Sequence, residues 1–283
     1  MIPNAQKVCL TIAGLDPSGG AGVIADVKTF SAFGCFAAAA VTSLTFQNTT
    51  GVFGAVHQTA ETVRGQVQPI IDDYAVAAVK TGMLPTIEVI AETARLISDN
   101  KLRNIVVDPV VRSTSGFDLI DNGALQALIA YLFPLSDLVT PNIPEAERIA
   151  EMTIKSEGDI EKAARFIQSL GARNVLIKGG HFFETDSRKW RSENEKRRAK
   201  DYLFLGDDFN FFESEFIDTT ATHGTGCTLA AAITANLALG NNLVASIKKA
   251  KEFVTEAIRT APNLGHGNSP INILLLSRCK DDG

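Results

Sequence analysis

The chain has 283 residues, a net charge of −5 and a pI of about 5.5, with 45% hydrophobic and 21% charged residues. That length supports one large α/β core, and the mild acidity argues against bulk nucleic-acid binding, so any phosphate ligand must be met by local positive potential. Four isolated cysteines (Cys9, Cys35, Cys227 and Cys279) without Cys-x-x-Cys spacing argue against zinc and disulfide frameworks. With no signal-like start and no run of transmembrane length, a cytoplasmic protein that uses no membrane is expected.

Residues 8–13 form a short apolar run, read as a strand, followed by the glycine-rich stretch Gly14-Leu-Asp-Pro-Ser-Gly-Gly-Ala-Gly22. Val23, Ala25, Val27, Phe30 and Phe33 then follow at helical spacing. The glycine spacing does not match a dinucleotide fingerprint, so a loop closing over a small ligand is the better reading. Asp26, on the first turns of this helix, is either a hydrogen-bond partner for a ligand or a solvated first-turn carboxylate. Residues 41–51 read as a strand running into a polar turn. There Gln47 offers a donor and an acceptor to a heterocycle edge, or simply an amide bonded to its turn.

Residues 59–73 and 86–98 have helical periodicity. Between and after them, four short apolar strands end in polar or glycine-containing turns. Residues 75–79 lead into Lys80-Thr-Gly-Met-Leu84, and 105–107 into Asp108-Pro-Val110. Residues 138–139 lead into Thr140-Pro-Asn142, with Pro144, Glu145 and Ala146 opening a helix, and 175–177 into Lys178-Gly-Gly-His181. Strand, turn and helix in repetition predict a mostly parallel sheet with helices on both faces and ligands at the carboxyl ends of the strands.

Residues 182–216 break the repeat. A basic run over 187–200 contains Trp190 and is interleaved with Glu193 and Glu195, as in a solvated loop. Strands over 201–205 and 209–216, joined at Gly206-Asp-Asp208, predict a β flap. The stretch His223-Gly-Thr-Gly-Cys-Thr228 then leads into an alanine- and leucine-rich helix that stops near Gly240. Unpaired N–H groups and the macrodipole make such a helix start an anion site, and they would lower the pKa of Cys227. An amphipathic helix over 243–260 and a strand over 271–276 close a single expected domain spanning 1–283.

These motifs, in this order and over nearly the whole chain, resemble the hydroxymethylpyrimidine/phosphomethylpyrimidine kinases of thiamine biosynthesis, within the ribokinase-like superfamily. The resemblance implies a three-layer α/β/α fold, ATP and Mg²⁺ as cofactors, an aminopyrimidine substrate and a homodimer. It implies that Gly224, Thr225, Gly226 and Cys227 hold the transferring phosphoryl group, with Cys227 as base or positioner. Asp26, Gln47, Gly14, Met83 and Val110 would bind the pyrimidine. Lys178, Asn142, His223 and Thr228 would serve ATP and its phosphates, and Asp108 and Glu145 the metal. For Asn142 and Glu145 the local sequence equally allows an N-cap and a first-turn acid.

Leu15, Phe46 and Arg112 depart from the family pattern. Leu15 and Phe46 are expected near the substrate ring, which leaves a pyridoxal kinase of the same branch as the alternative. The basic run is longer than the family pattern implies and receives no role. A cysteine acyl-transferase or hydrolase, built on Cys227 as nucleophile, would need a base that His223 is too close in sequence to supply.

Overall fold

The computed structural model describes residues 6–111, 116, 118–180 and 197–274. Nine strands form one sheet: β1 (Val8–Leu15), β2 (Phe36–Asn48), β3 (Gly51–His57), β4 (Val76–Thr81), β5 (Ile105–Val107), β6 (Leu138–Val139), β7 (Asn174–Lys178), β8 (Arg198–Leu205) and β9 (Asp208–Glu215). Their order across the sheet is β3-β2-β1-β4-β5-β6-β7-β8-β9. The six strands from β2 to β7 are parallel, and an antiparallel strand or hairpin extends each side.

Helices cover both faces. One carries α2 (Ala60–Asp73), α3 (Ile87–Asp99), α4 (Asn122–Leu132), α5 (Ile143–Ala150) and α6 (Glu157–Ser169). The other carries α1 (Gly22–Ala32), α7 (Thr225–Ala238) and α8 (Leu243–Arg259). The sequence reading sets no bounds for α4 and α6, although Asp121 and Ser156 cap them with side-chain bonds to Ala124 and Asp159. The stop of α7 is a Schellman arrangement: Gly240 N–H reaches the Leu237 carbonyl and Asn241 N–H reaches that of Asn236. Gly240 sits at φ +87°, where a side chain would be strained.

Two expectations change. The predicted flap is a continuation of the main sheet, because β7 pairs along its length with β8, from Asn174↔Leu205 to Lys178↔Asp201. Among the described residues of 271–276 there is no strand. Ile271 and Ile273 instead pack against Ala25 and Ala257. Arg112, His181, Trp190 and most of the basic run lie outside the described residues.

Side-chain alternation decides what faces what. Leu10 and Ile12, Ile105 and Val107, Val175 and Ile177 point into the core shared with α2–α6. Their neighbours Cys9, Ala78, Val106, Leu138 and Leu176 point toward α1, α7 and α8. Continuing that second set by two residues reaches Thr11, Lys80, Asp108, Thr140 and Lys178. Every polar strand-end residue of this set is thus delivered to the face where α7 begins.

Candidate active site

At the carboxyl ends of the parallel strands lies a cavity of about 1340 Å³. Residues following β1, β4, β5, β6 and β7 line it from the sheet side, and the first turn of α7 lines it from the other. Of the residues singled out in the sequence, Gly14, Gln47, Met83, Asp108, Val110, Asn142, Glu145, Lys178, His223 and Gly224 through Cys227 reach this one space. Asp26 and Thr228 do not.

The helix start is shaped by glycine. Gly224 caps α7 at φ +83°, and a Cβ there would collide with the Gly20 carbonyl. Only glycine meets both conditions. Gly226 and Cys227, second and third in the helix, have no acceptor one turn back, whereas the Thr225 N–H is engaged by the Thr222 carbonyl at 3.3 Å. The helix-start N–H groups left without an acceptor one turn back are therefore those of Gly226 and Cys227. Lys178 Nζ stands 3.2 Å from where a Cβ on Gly226 would be, so the ammonium lies beside this turn. Thr228 is fully buried behind this turn with an unpartnered hydroxyl and does not line the cavity.

The charges come in linked pairs. Lys178 Nζ is 2.8 Å from Asp108 Oδ1, which also accepts from Thr140 Oγ1 at 3.1 Å. Burial opposes ionisation of both, but each is held in its charged form by the other. Lys80 Nζ is 2.8 Å from Asp26 Oδ2, which also accepts from Thr11 Oγ1 at 2.6 Å; both side chains of the pair are fully buried. Burial alone would lower the pKa of Lys80, yet the carboxylate of Asp26, with Cys227 and Asp108 nearby, drives it above its usual value. Lys80 lines the cavity. Asp26 is thus neither a solvated carboxylate nor a wall of the cavity; it acts through Lys80. Lys80 is the charged cavity residue to which the sequence reading gives no role. Its signal is a lysine closing an apolar strand.

Asn142 and Glu145 form a complete capping box at α5: Asn142 Oδ1 accepts from the Glu145 N–H, and Glu145 Oε2 from the Asn142 N–H, both at 2.8 Å. The capping alternative is realised, and both residues still line the cavity. Burial, with the charge of Asp108 adding to it, pushes the Glu145 carboxyl up to about 7, against the pull of Lys178 and the backbone bonds. Two ammonium groups thus face three carboxylates, and Glu145 has no ammonium of its own.

Cys227 corrects a second expectation. Enclosure pushes its thiol up to about 11, with Asp108 and Asp26 adding to the rise. Lys80 and the Gly22 N–H work in the opposite direction without prevailing. Desolvation and carboxylates from other elements outweigh the helix start. The His223 ring is turned to Asp16, with Nε2 2.7 Å from its carboxylate, so the pairing with Cys227 that a hydrolase would need is not made.

On the β1–β2 side, Gly14 brings its backbone against Met83, whose Sδ would lie 3.0 Å from a Cβ at residue 14. Leu15 lines the cavity as expected. Phe46 does not: Thr45 and Gln47 face inward, so the intervening side chain points out of β2, where it is 54% exposed and lies over Gly54.

A three-layer sheet with a glycine-built anion site and paired lysines at its strand ends defines a ribokinase-like small-molecule kinase. A family model described as phosphomethylpyrimidine kinase matches residues 16–272, and the chain belongs to that family. The hydroxymethylpyrimidine/phosphomethylpyrimidine kinase of Staphylococcus aureus strain MSSA476 is 42% identical over 267 residues, covering 94% of this chain and 93% of the relative. The crystal structure of phosphomethylpyrimidine kinase from Clostridium difficile 630 matches with a TM-score of 0.75 at 37% identity, over 89% of this chain and 100% of that one. An ADP complex of Bacillus subtilis pyridoxal kinase matches with a TM-score of 0.82 at 37% identity, over 96% and 99%.

Two outcomes follow from the charges. Lys80→Met strands the Asp26 carboxylate and is expected to cost about 3–5 kcal/mol in urea unfolding, whereas the double variant Lys80→Met/Asp26→Leu recovers part of the loss. A double variant that loses the sum of the two single effects would contradict the pairing. Alkylation of Cys227 by iodoacetamide, read by peptide mass spectrometry on the ligand-free protein, is expected to be slow at pH 7. It should rise about tenfold per pH unit toward pH 11; a plateau near neutrality would refute the raised pKa.

Proposed function

We propose that the protein transfers the γ-phosphoryl group of ATP to 4-amino-5-hydroxymethyl-2-methylpyrimidine, and then a second phosphoryl group to the monophosphate, giving the diphosphate used for thiamine. The observation that carries this reading is the meeting, in one cavity, of the Gly226–Cys227 donors beside Lys178 with a heterocycle-sized wall made by Gly14, Gln47, Met83 and Val110. The names of the relatives, and a matching kinase with ADP bound, support a nucleotide as the donor.

Each residue then has a physical task. The hydroxymethyl oxygen forms a bond to the γ-phosphorus as the bond to the ADP oxygen breaks, and the hydroxyl proton passes to a non-bridging oxygen of the transferred phosphoryl group and from there to solvent. Such a transfer needs positioning and charge stabilisation more than covalent help. The N–H groups of Gly226 and Cys227 and the ammonium of Lys178 receive the negative charge of the moving group. Lys80, kept charged by Asp26, adds a second positive charge from β4. With its thiol protonated at neutral pH, Cys227 holds the acceptor hydroxyl in line. Gln47 matches the amino and ring-nitrogen groups of the pyrimidine.

Mg²⁺ suits the carboxylates present. Asp108 and Glu145 supply hard oxygen donors, and the raised pKa of Glu145 marks a carboxylate short of positive charge. When bound, the ion would neutralise phosphate charge. We assign Glu145 and Asp108 to hold it and Asn142 to keep Glu145 in place through the capping box.

The same reading makes the whole chain one catalytic unit working in the cytoplasm, consistent with Cys9, Cys35 and Cys227 being free thiols. Among the described residues no helix is long and apolar enough to cross a membrane. It also makes the protein a homodimer. The apolar outer side of the β2–β3 hairpin, with Phe46 and Phe53 54% and 69% exposed, is the surface a second copy would cover.

The decisive assay measures ATP- and Mg²⁺-dependent product from the pyrimidine, its monophosphate and pyridoxal. Diphosphate is expected from the first two. Cys227→Ala should lower kcat/KM by about 10²-fold, with Cys227→Ser recovering a substantial part because a hydroxyl can also hold the acceptor. Turnover of pyridoxal alone would move the substrate to the B6 vitamers. The Mg²⁺ dependence gives a separate check. A protonated Glu145 is a poor ligand, so half-saturating Mg²⁺ should rise about tenfold between pH 8 and pH 6. Glu145→Gln should flatten that dependence; an unchanged slope would remove Glu145 from the metal site.

A further inference from the structure

Lys178 has two carboxylates within reach of its stem, and it takes the one that is not its neighbour. In the β7–β8 ladder Lys178 stands directly opposite Asp201. Residues opposite one another in an antiparallel pair share a face, with Cβ atoms about 4.5–5.5 Å apart. The preceding pair on that face, Leu176 and Leu203, belongs to the apolar cluster under α7 and α8, so Lys178 and Asp201 point to the same side. Both line the cavity. Yet Lys178 Nζ lies 2.8 Å from Asp108, across β6.

Asp201 is answered from α8 instead. Lys251 Nζ is 2.6 Å from Asp201 Oδ2, and both side chains are 9% exposed. Lys251 is the one ammonium bonded to Asp201 among the described residues. Lys200, one residue back, points to the opposite face, where Glu157 and Glu213 hold it at 3.0 and 3.4 Å. The partner of Asp201 on β9 is Phe212, and the next residue on its own face is Leu203; both pack in the apolar cluster.

Without Lys251, a nearly buried carboxylate would stand among apolar side chains, with the Lys178 ammonium as the cation able to relieve it. Asp108 can better spare that ammonium. It keeps the Thr140 hydroxyl at 3.1 Å, and Lys80 lies close enough for its charge to act on it.

We propose that Lys251 and Asp201 form a positioning pair for Lys178. By compensating Asp201, Lys251 keeps Lys178 turned across β6, toward Asp108 and the start of α7. Lys251 thus acts on phosphoryl transfer through two side chains, without touching the moving group. This rests on the assignment of Lys178 to that group above.

The test compares wild type, Lys251→Met, Lys251→Gln and Lys251→Met/Asp201→Leu as full chains. Wild-type turnover tests the substrate reading by itself; the acceptor for the variants is whichever of the pyrimidine and pyridoxal the wild type phosphorylates. Per folded enzyme, Lys251→Met should lower kcat about tenfold or more, because Lys178 is drawn away. The double variant has no carboxylate to draw it and should return to within about threefold of wild type. Lys251→Gln leaves Asp201 a hydrogen-bond donor without a charge, so it covers a failure of Lys251→Met to fold and should show the same fall. A purely structural pair would leave kcat per folded enzyme unchanged, which would overturn the proposal. So would a loss that the second substitution does not recover, which would mark Lys251 as a direct ligand of the nucleotide. The crystal structure of a ligand-free single variant is independent of any substrate. Lys178 Nζ is expected within hydrogen-bond reach of Asp201, and an ammonium still seated on Asp108 would refute the pair's role even if the pyrimidine is a good substrate.

Discussion

The site depends on one constraint: buried charges at the ends of parallel strands must find partners on the same face of the sheet. The two-residue repeat sends Lys80, Asp108, Thr140 and Lys178 to the side where α1 and α7 pack. There Asp26 of α1 meets Lys80, and Lys178 at the end of β7 reaches across β6 to meet Asp108 after β5. Each pair survives burial because the partner is within hydrogen-bond reach. A slip of one residue in β4 would drive an ammonium into the aliphatic core under α2–α6, with no carboxylate to receive it.

This arrangement leaves a useful imbalance. Glu145 is a third carboxylate, buried and bonded mainly to the backbone at the start of α5, and its proton affinity is raised. A site built to receive polyphosphate would be expected to carry only positive charge. Here the fixed cations are partly neutralised by Asp26 and Asp108, so the net field is modest until ligand arrives. In the proposed kinase reaction, a dication held by Glu145 and Asp108 and an anion held by Lys178 and the α7 donors would enter together without leaving either sign uncompensated.

Cys227 shows how local and distant effects compete. The helix start favours a thiolate, but desolvation and the carboxylates of Asp108 and Asp26 push the thiol the other way. The thiol is consequently a neutral group in the ligand-free protein. Its place beside the Gly226 donors matters more than its ionisation, and the same turn is braced from outside by the Gly20–Gly224 contact and by the bond from His223 to Asp16.

Much of this was legible in the sequence, and for local reasons. Short apolar strands, glycines at turns and the order of motifs are written in contiguous residues, so the parallel sheet, the cavity at its strand ends, the glycine-capped start of α7 and the family could all be read from the chain. Residues named for the cavity from those motifs, such as Met83, Val110 and Lys178, do line it. The misplaced residues fail for reasons of geometry. Phe46 turns away from the cavity to lie over Gly54, and Thr228 turns inward behind the first turn of α7, fully buried. What only the tertiary structure decided is which charge answers which: Asp26 for Lys80, Asp108 for Lys178, Asp16 for His223 over 207 residues of sequence. Ionisation and side-chain orientation are set by groups that arrive from separate strands, and no stretch of sequence contains them together.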